Sequence, residues 1–259
     1  MRFGVCAAPD AVETSAAAGF DYLEPSVVGL LQPERPEAEV LPPLIAAFSD
    51  SPLKPEVFNL FLPGDLKVVG PDTDTVRQGL YLSAAFRRAA RLGGKIVVFG
   101  SGGARRVPEG WPRERAYAQI SAFLTLCGDA SEQRGMTVEI EPLNSSECNI
   151  LNSVAETVKF VVDLGHPAVG VLSDLYHVTY DGQSYSETQD AAAFLRHVHI
   201  AGPGRRAPTA ADCAYLREYF AVLKSAGYAG RISIEAGWES FEAQAAEARE
   251  VLGQAWETA

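Results

Sequence analysis

Four side chains able to bind a hard metal ion stand at the C-terminal ends of apolar runs. They are Glu141 in Val138-Glu139-Ile140-Glu141-Pro142, Asp174 in Val171-Leu172-Ser173-Asp174, His199 in His197-Val198-His199 and Glu235 in Ile232-Ser233-Ile234-Glu235. Taken singly, each has a plain explanation: a carboxylate at a strand end is usually a solvated turn residue or a helix cap, and a lone histidine in a strand is usually a hydrogen-bonded core group. Four on successive strand ends point instead to one shared site. Two glutamates, an aspartate and one histidine form an oxygen-rich set that suits Mn²⁺, with Mg²⁺ or Co²⁺ as alternatives, whereas structural zinc prefers cysteine and more histidine. Such an ion, chelated by a carbonyl and a neighbouring hydroxyl, makes the adjacent carbon-bound proton removable and stabilises the resulting enediolate. Two carboxylates on opposite faces, Glu141 and Glu235, would then act in turn as base and acid.

The elements that must carry these residues alternate strand and helix. Strand patterns cover 2–7, 22–27, 56–62, 95–100, 137–143, 169–174, 198–201 and 231–236. Helical stretches fall between them: an alanine-rich one with Asp10 as its cap and Gly19 as its stop, a short one at 44–48, and a long one from Asp74 to Gly93. Others run from Pro112 to Arg134, from the cap Ser153 to Gly165, at 188–196, 212–227 and 241–256. Eight such units without a composition break predict one α/β domain over 1–259 with parallel strands. A doubly wound open sheet gives the same alternation. Ligands at the strand ends favour a single (β/α)8 TIM barrel, whose active site lies where strands end and the following loops begin.

The totals are those of an ordinary soluble globular protein. In 259 residues, 47% are hydrophobic and 21% charged, and the net charge of -11 argues against nucleic-acid binding, which needs a basic footprint. Cys6, Cys127, Cys148 and Cys213 are scattered without a CxxC pair, and no apolar leader or membrane-length run is present; the expected location is the cytoplasm, with reduced thiols.

The stretches Ile140-Glu141-Pro142-Leu143-Asn144, Ser173-Asp174-Leu175-Tyr176-His177, His197-Val198-His199 and Ile234-Glu235 resemble the xylose-isomerase-like barrel superfamily of sugar isomerases and epimerases. Within it they are most similar to ketose 3-epimerases of the D-tagatose and D-allulose type. The resemblance implies one Mn²⁺ or Co²⁺ ion on Glu141, Asp174, His199 and Glu235. It also matches Glu147, six residues after the first metal glutamate, His177, three after the aspartate, and Arg205, six after the histidine. Their implied roles are in substrate binding, with Arg205 on the developing oxyanion, His177 on a substrate oxygen and Glu147 on His177 or the substrate. The expected partner is a small sugar or keto-sugar, and the resemblance implies a homodimer or higher homo-oligomer.

Pocket walls are expected from Glu24, Asn59, Phe61, Phe99, Trp111 and Trp238, all at or beyond strand ends. Arg105, Arg106 and Arg206 leave a phosphorylated or carboxylated substrate open. Strand alternation also puts Glu139 and His197 inside the barrel one layer below Glu141 and His199, with His197 or Arg231 as the expected partner of Glu139. The same ligands would serve a hydroxypyruvate isomerase or a keto-inositol isomerase or dehydratase, and a non-enzymatic sugar-binding barrel is a further alternative. The apurinic-endonuclease branch needs more histidines than His166, His177, His197 and His199 provide.

Overall fold

The structure, a computed structural model, describes residues 1–259. Its strands are β1 (Arg2–Val5), β2 (Tyr22–Leu23), β3 (Val57–Phe58), β4 (Ile96–Phe99), β5 (Thr137–Ile140), β6 (Val169–Asp174), β7 (Leu195–Ile200) and β8 (Arg231–Ile234). They form one sheet in the order β2-β1-β8-β7-β6-β5-β4-β3, with every pair parallel. Parallel bridges from Leu23 to Pro55 and from Ser26 to Asn59 join the two end strands. The result is the expected (β/α)8 barrel.

The helices are α1 (Val12–Ala17), α2 (Glu37–Ser49), α3 (Thr75–Arg91), α4 (Gly102–Arg105), α5 (Arg113–Glu132), α6 (Val154–Leu164), α7 (Leu175–Tyr180), α8 (Tyr185–Asp190), α9 (Cys213–Ser225) and α10 (Phe241–Thr258). Asp74 caps α3 by accepting from the Arg77 amide at 2.9 Å, and Ser153 caps α6 by accepting from Glu156 at 3.0 Å. Gly165 ends α6 in the left-handed conformation, at φ 65°. Asp10, in contrast, makes no cap bond; a short 3-10 turn at Pro9–Ala11 leads into α1 instead.

Parallel strands divide the apolar side chains into two groups. One faces the helices and includes Phe3, Val5, Val97, Val138, Val171, Val198 and Ile232. The other fills the lower barrel with Tyr22, Val57, Ile96, Val98 and Leu172. Gly4 makes room there: a Cβ on it would lie 2.2 Å from the Tyr22 ring, whose hydroxyl meets Ser233 Oγ at 2.8 Å. Higher up, the inward positions turn polar, with Glu24, Glu139, Glu141, Asp174, His197 and His199 all buried.

Several expected bounds shift. The strands at 22–27 and 56–62 shorten to two residues each. Pro25 has no N–H to give a ladder, Ser26 accepts from Gly29 to start a π-helical turn at Val27–Leu31, and Leu60 adopts φ 42°. The helix expected at 188–196 lies earlier, as α7 and α8, so Leu195 and Arg196 belong to β7. No helix is long and apolar enough to cross a membrane.

Candidate metal centre and active site

Ladder register brings the four predicted ligands together. Asp174 at the end of β6 pairs with His199 of β7. Glu235 follows β8 and donates its amide to Ile200 O at 2.9 Å, while Glu141 follows β5 and donates to Phe99 O at 3.2 Å. One ligand atom from each of Glu141, Asp174, His199 and Glu235 lies within 4.8 Å of the other three. His199 Nδ1 is 3.3 Å from Glu141 Oε1 and 3.4 Å from Glu235 Oε2. Asp174 Oδ1 accepts the Tyr176 amide at 2.7 Å, and its Oδ2 is buried with no hydrogen-bond partner.

The electrostatics of this group favour a cation. Burial, with Glu141 and Glu235 nearby, pushes the Asp174 carboxyl up despite the opposing influence of His177. Burial also works against an ionised Glu235, but His199 and Arg205 outweigh it and hold that carboxyl low. For His199 burial opposes protonation, yet Glu24 and Glu235 raise its pKa well above the ordinary value. Three carboxylates around one imidazole, one of them with an orphaned oxygen, form a donor set that fits a hard divalent ion.

Around the cluster sits a second set of polar side chains. His177 Nδ1 accepts from the Asn144 backbone amide at 3.2 Å and from the Asn144 side-chain amide at 2.9 Å. Two donors on Nδ1 leave the proton of the neutral ring on Nε2. That atom has no hydrogen-bond partner and faces Asp174 Oδ2 at 3.6 Å and Glu141 Oε1 at 3.7 Å. Asn144 Nδ2 also donates to Glu147 Oε1 at 3.0 Å, and its Oδ1 accepts from Ser146 and Glu147. Glu147 therefore reaches His177 through Asn144 and not directly, which leaves the substrate as the other partner expected for it. Asn144 is a site residue that the spacing argument missed, although it closes the Ile140-to-Asn144 motif.

Arg205 spans the opening. Its guanidinium binds Glu235, lies 3.4 Å from Glu147 Oε1 and stands 4.9 Å over the Tyr176 ring. It does so from a left-handed backbone, φ 63°, a strained conformation for a non-glycine residue of the kind found at functional sites. Gly100 gives Glu141 its place, because a Cβ there would lie 2.3 Å from Glu141 Oε2. The fully buried Arg105 donates to Phe99 O at 2.9 Å and Glu141 O at 2.7 Å, tying the ends of β4 and β5 together.

Other expected residues lie elsewhere. Phe61 and Phe99 are fully buried and belong to an aromatic cluster with Tyr81, Phe86 and Phe123 of α3 and α5, so neither walls a pocket. The β3 alternation ends at Phe58, which frees Phe61 to turn outward. Trp111 donates to Gln119 Oε1 at 3.1 Å and lines a separate cavity of about 690 Å³ with Lys67, Arg106 and Asn149; none of the four clustered ligands lines it. Glu24 is fully buried and bound by His197 and His199, not on a substrate wall. Of the arginines considered for an anionic substrate, Arg105 is enclosed and Arg206 is paired twice with Asp212 at 2.6 Å.

The Glu139 expectation divides in the same way. Glu139 is fully buried, but its partner is Thr137 Oγ1 at 2.6 Å; His197 is taken by Glu24 and Arg231 by Glu56.

Comparison with known proteins agrees with this geometry. The chain is 28% identical to a ketose 3-epimerase of Arthrobacter globiformis over 119 residues, which are 46% of this chain and 41% of that enzyme. Identity to an L-ribulose 3-epimerase of Methylomonas sp. is 26% over 233 residues, covering 87% of this chain and 77% of the relative. The fold superposes on a D-allulose 3-epimerase of Methylomonas sp. in complex with D-allulose, with a TM-score of 0.84 at 20% identity, over 98% of this chain and 96% of the other. The model of the xylose isomerase-like TIM barrel family matches residues 12–255, and the chain belongs to that family.

Proposed function

We propose that the protein is a divalent-metal-dependent sugar epimerase that inverts C3 of a ketose by proton transfer between Glu141 and Glu235. The observation that carries this reading is the placement of two glutamate carboxylates from β5 and β8 around His199 Nδ1. Support comes from the ketose 3-epimerase names of the similar proteins. Glu141, Asp174, His199 and Glu235 would hold the ion, with Mn²⁺ the best match to the donor set and Mg²⁺ or Co²⁺ as alternatives. Once bound, it would supply Lewis acidity that makes the proton beside a ketose carbonyl removable.

The remaining work falls to the chain. One glutamate removes the C3 proton, and the other returns a proton on the opposite face. His177 Nε2–H, oriented by Asn144, donates to a substrate oxygen. Arg205 releases Glu235 as sugar enters and balances charge on the enediolate. Glu147 holds both Asn144 and Arg205 in place.

The test is an assay of the Mn²⁺-loaded protein against free ketoses, keto-acids and keto-inositols. C3 epimers should form from at least one ketose, with solvent deuterium entering at C3. Turnover of none of the ketoses would overturn the reading. A second measurement concerns the ion: Gly100→Ala displaces the Glu141 carboxylate and is expected to weaken Mn²⁺ binding at least about tenfold in titration calorimetry. An unchanged Kd would show that Glu141 does not depend on this close approach.

A further inference from the structure

We propose that Glu24 is the positioning residue of the metal centre: its single carboxylate bridges His197 and His199 and thereby presents His199 Nδ1 as the ligand atom. This rests on the metal site of the preceding reading, not on the identity of the sugar.

Glu24 follows β2, and its Oε1 lies 2.7 Å from His199 Nε2 while its Oε2 lies 2.9 Å from His197 Nε2. All three residues are fully buried. An ionised carboxylate only accepts hydrogen bonds, so each imidazole must turn an Nε2–H toward it. With Nε2–H committed to Glu24, Nδ1 is the position at which an ion would take the place of a proton, and that is the atom facing Glu141 and Glu235. Glu24 lies on the Nε2 side of the ring and the carboxylate cluster on the Nδ1 side. It is therefore neither a ligand of the same ion nor, with both oxygens engaged and no exposure, a contact for substrate.

His197 explains why the arrangement is rigid. One carboxylate oxygen would suffice to orient His199, yet a carboxylate held at one oxygen can still rotate. Strand alternation places His197 on the same inward face as His199, one layer deeper, and it holds the second oxygen. The two rings meet edge to face with centroids 4.9 Å apart. Hydrogen bonds from a metal-binding histidine to a carboxylate fix its tautomer and raise its basicity, and their loss typically weakens metal binding about 10- to 100-fold.

The experiment compares the wild type with Glu24→Gln and His197→Gln. Mn²⁺ affinity is read by calorimetry, and the His199 tautomer in the Zn²⁺-loaded protein by ¹⁵N NMR. Glu24→Gln keeps the shape but turns an amide donor toward one Nε2–H; its Kd should rise about 10- to 100-fold and His199 should lose its uniform Nε2–H signature. His197→Gln leaves the Glu24–His199 bond and should weaken binding by a smaller factor, about three- to tenfold, in the same direction. Glu24→Asp, which keeps the charge but cannot span both rings, should fall between the wild type and Glu24→Gln. A folded Glu24→Gln protein with wild-type Kd and tautomer overturns the proposal. Where Glu24→Gln does not fold, unchanged Kd and tautomer in His197→Gln do so. A wild type that binds neither ion overturns the metal centre and this inference with it, whereas one that binds Mn²⁺ but epimerises no ketose overturns only the activity.

Discussion

Glu141→Gln and Glu235→Gln are each expected to lower kcat for ketose epimerisation by about 10²- to 10⁴-fold, the usual contribution of a positioned acid or base. The substitution keeps volume and one carbonyl oxygen but removes the ability to take a proton. The two variants should also differ in a way that a structural role would not produce. Epimerisation needs a base on each face of C3, so a protein with one glutamate left can still exchange the C3 proton of one epimer with solvent without inverting it. Proton NMR in D2O should therefore show washout from one epimer with Glu141→Gln and from the other with Glu235→Gln. The Glu235 side chain is the one in contact with Arg205, and His199 together with that guanidinium holds it ionised against the cost of burial. Because both residues belong to the ligand cluster, metal content is measured alongside. Wild-type kcat in both variants at full metal content would falsify proton transfer by this pair.

What could be read from the sequence follows the physics of parallel strands. A strand covered by helices on one side and packed inside a barrel on the other is apolar until it reaches the rim, so a carboxylate or imidazole at its end stands out. Glu141, Asp174, His199 and Glu235 were legible for this reason, and one rim follows from one barrel. Glu24 stands at a strand end with the same local signature. Its true place depends on His197 and His199, whose Nε2 atoms reach it from β7 on the far side of β1 and β8. Nothing within several residues of Glu24 encodes that meeting. Phe61 stands near a strand end like the ligands, but Leu60, at φ 42°, turns the chain just before it, and its ring packs with the aromatic side chains of α3 and α5. The α7 helix was hidden by economy: Asp174 both ends β6 and caps the next helix, leaving no loop between them to mark the boundary.

Glu139→Gln should make folding stability less sensitive to alkali, and the sign follows from burial. Glu139 Oε1 accepts from Thr137 at 2.6 Å, whereas Oε2 is buried with no partner and lies where a Cβ on Gly170 would be only 2.2 Å away. Burial pushes this carboxyl from about 4.5 up to about 8, with Thr137 and Arg196 opposing the rise only in part. The folded protein thus binds a proton that the unfolded chain releases near pH 4.5. Stability from this group is complete below that pH, falls as pH rises through the interval, and is lost once the folded carboxyl ionises near pH 8. The shift corresponds to a loss on the order of 3 to 5 kcal/mol across that window. A glutamine is neutral throughout and keeps a carbonyl oxygen for Thr137, so the variant should melt near the wild type at pH 5 and clearly above it at pH 8.5. Denaturant unfolding across this range measures the difference directly. Parallel curves for the two proteins would show that Glu139 is ionised in the fold and compensated by a partner other than Thr137. The same comparison bears on the centre above it, because Glu139 of β5 and Glu141 just beyond its end occupy successive inward positions. A neutral Glu139 keeps a further negative charge away from Glu24, Glu141, Asp174 and Glu235, the carboxylates that gather around His199.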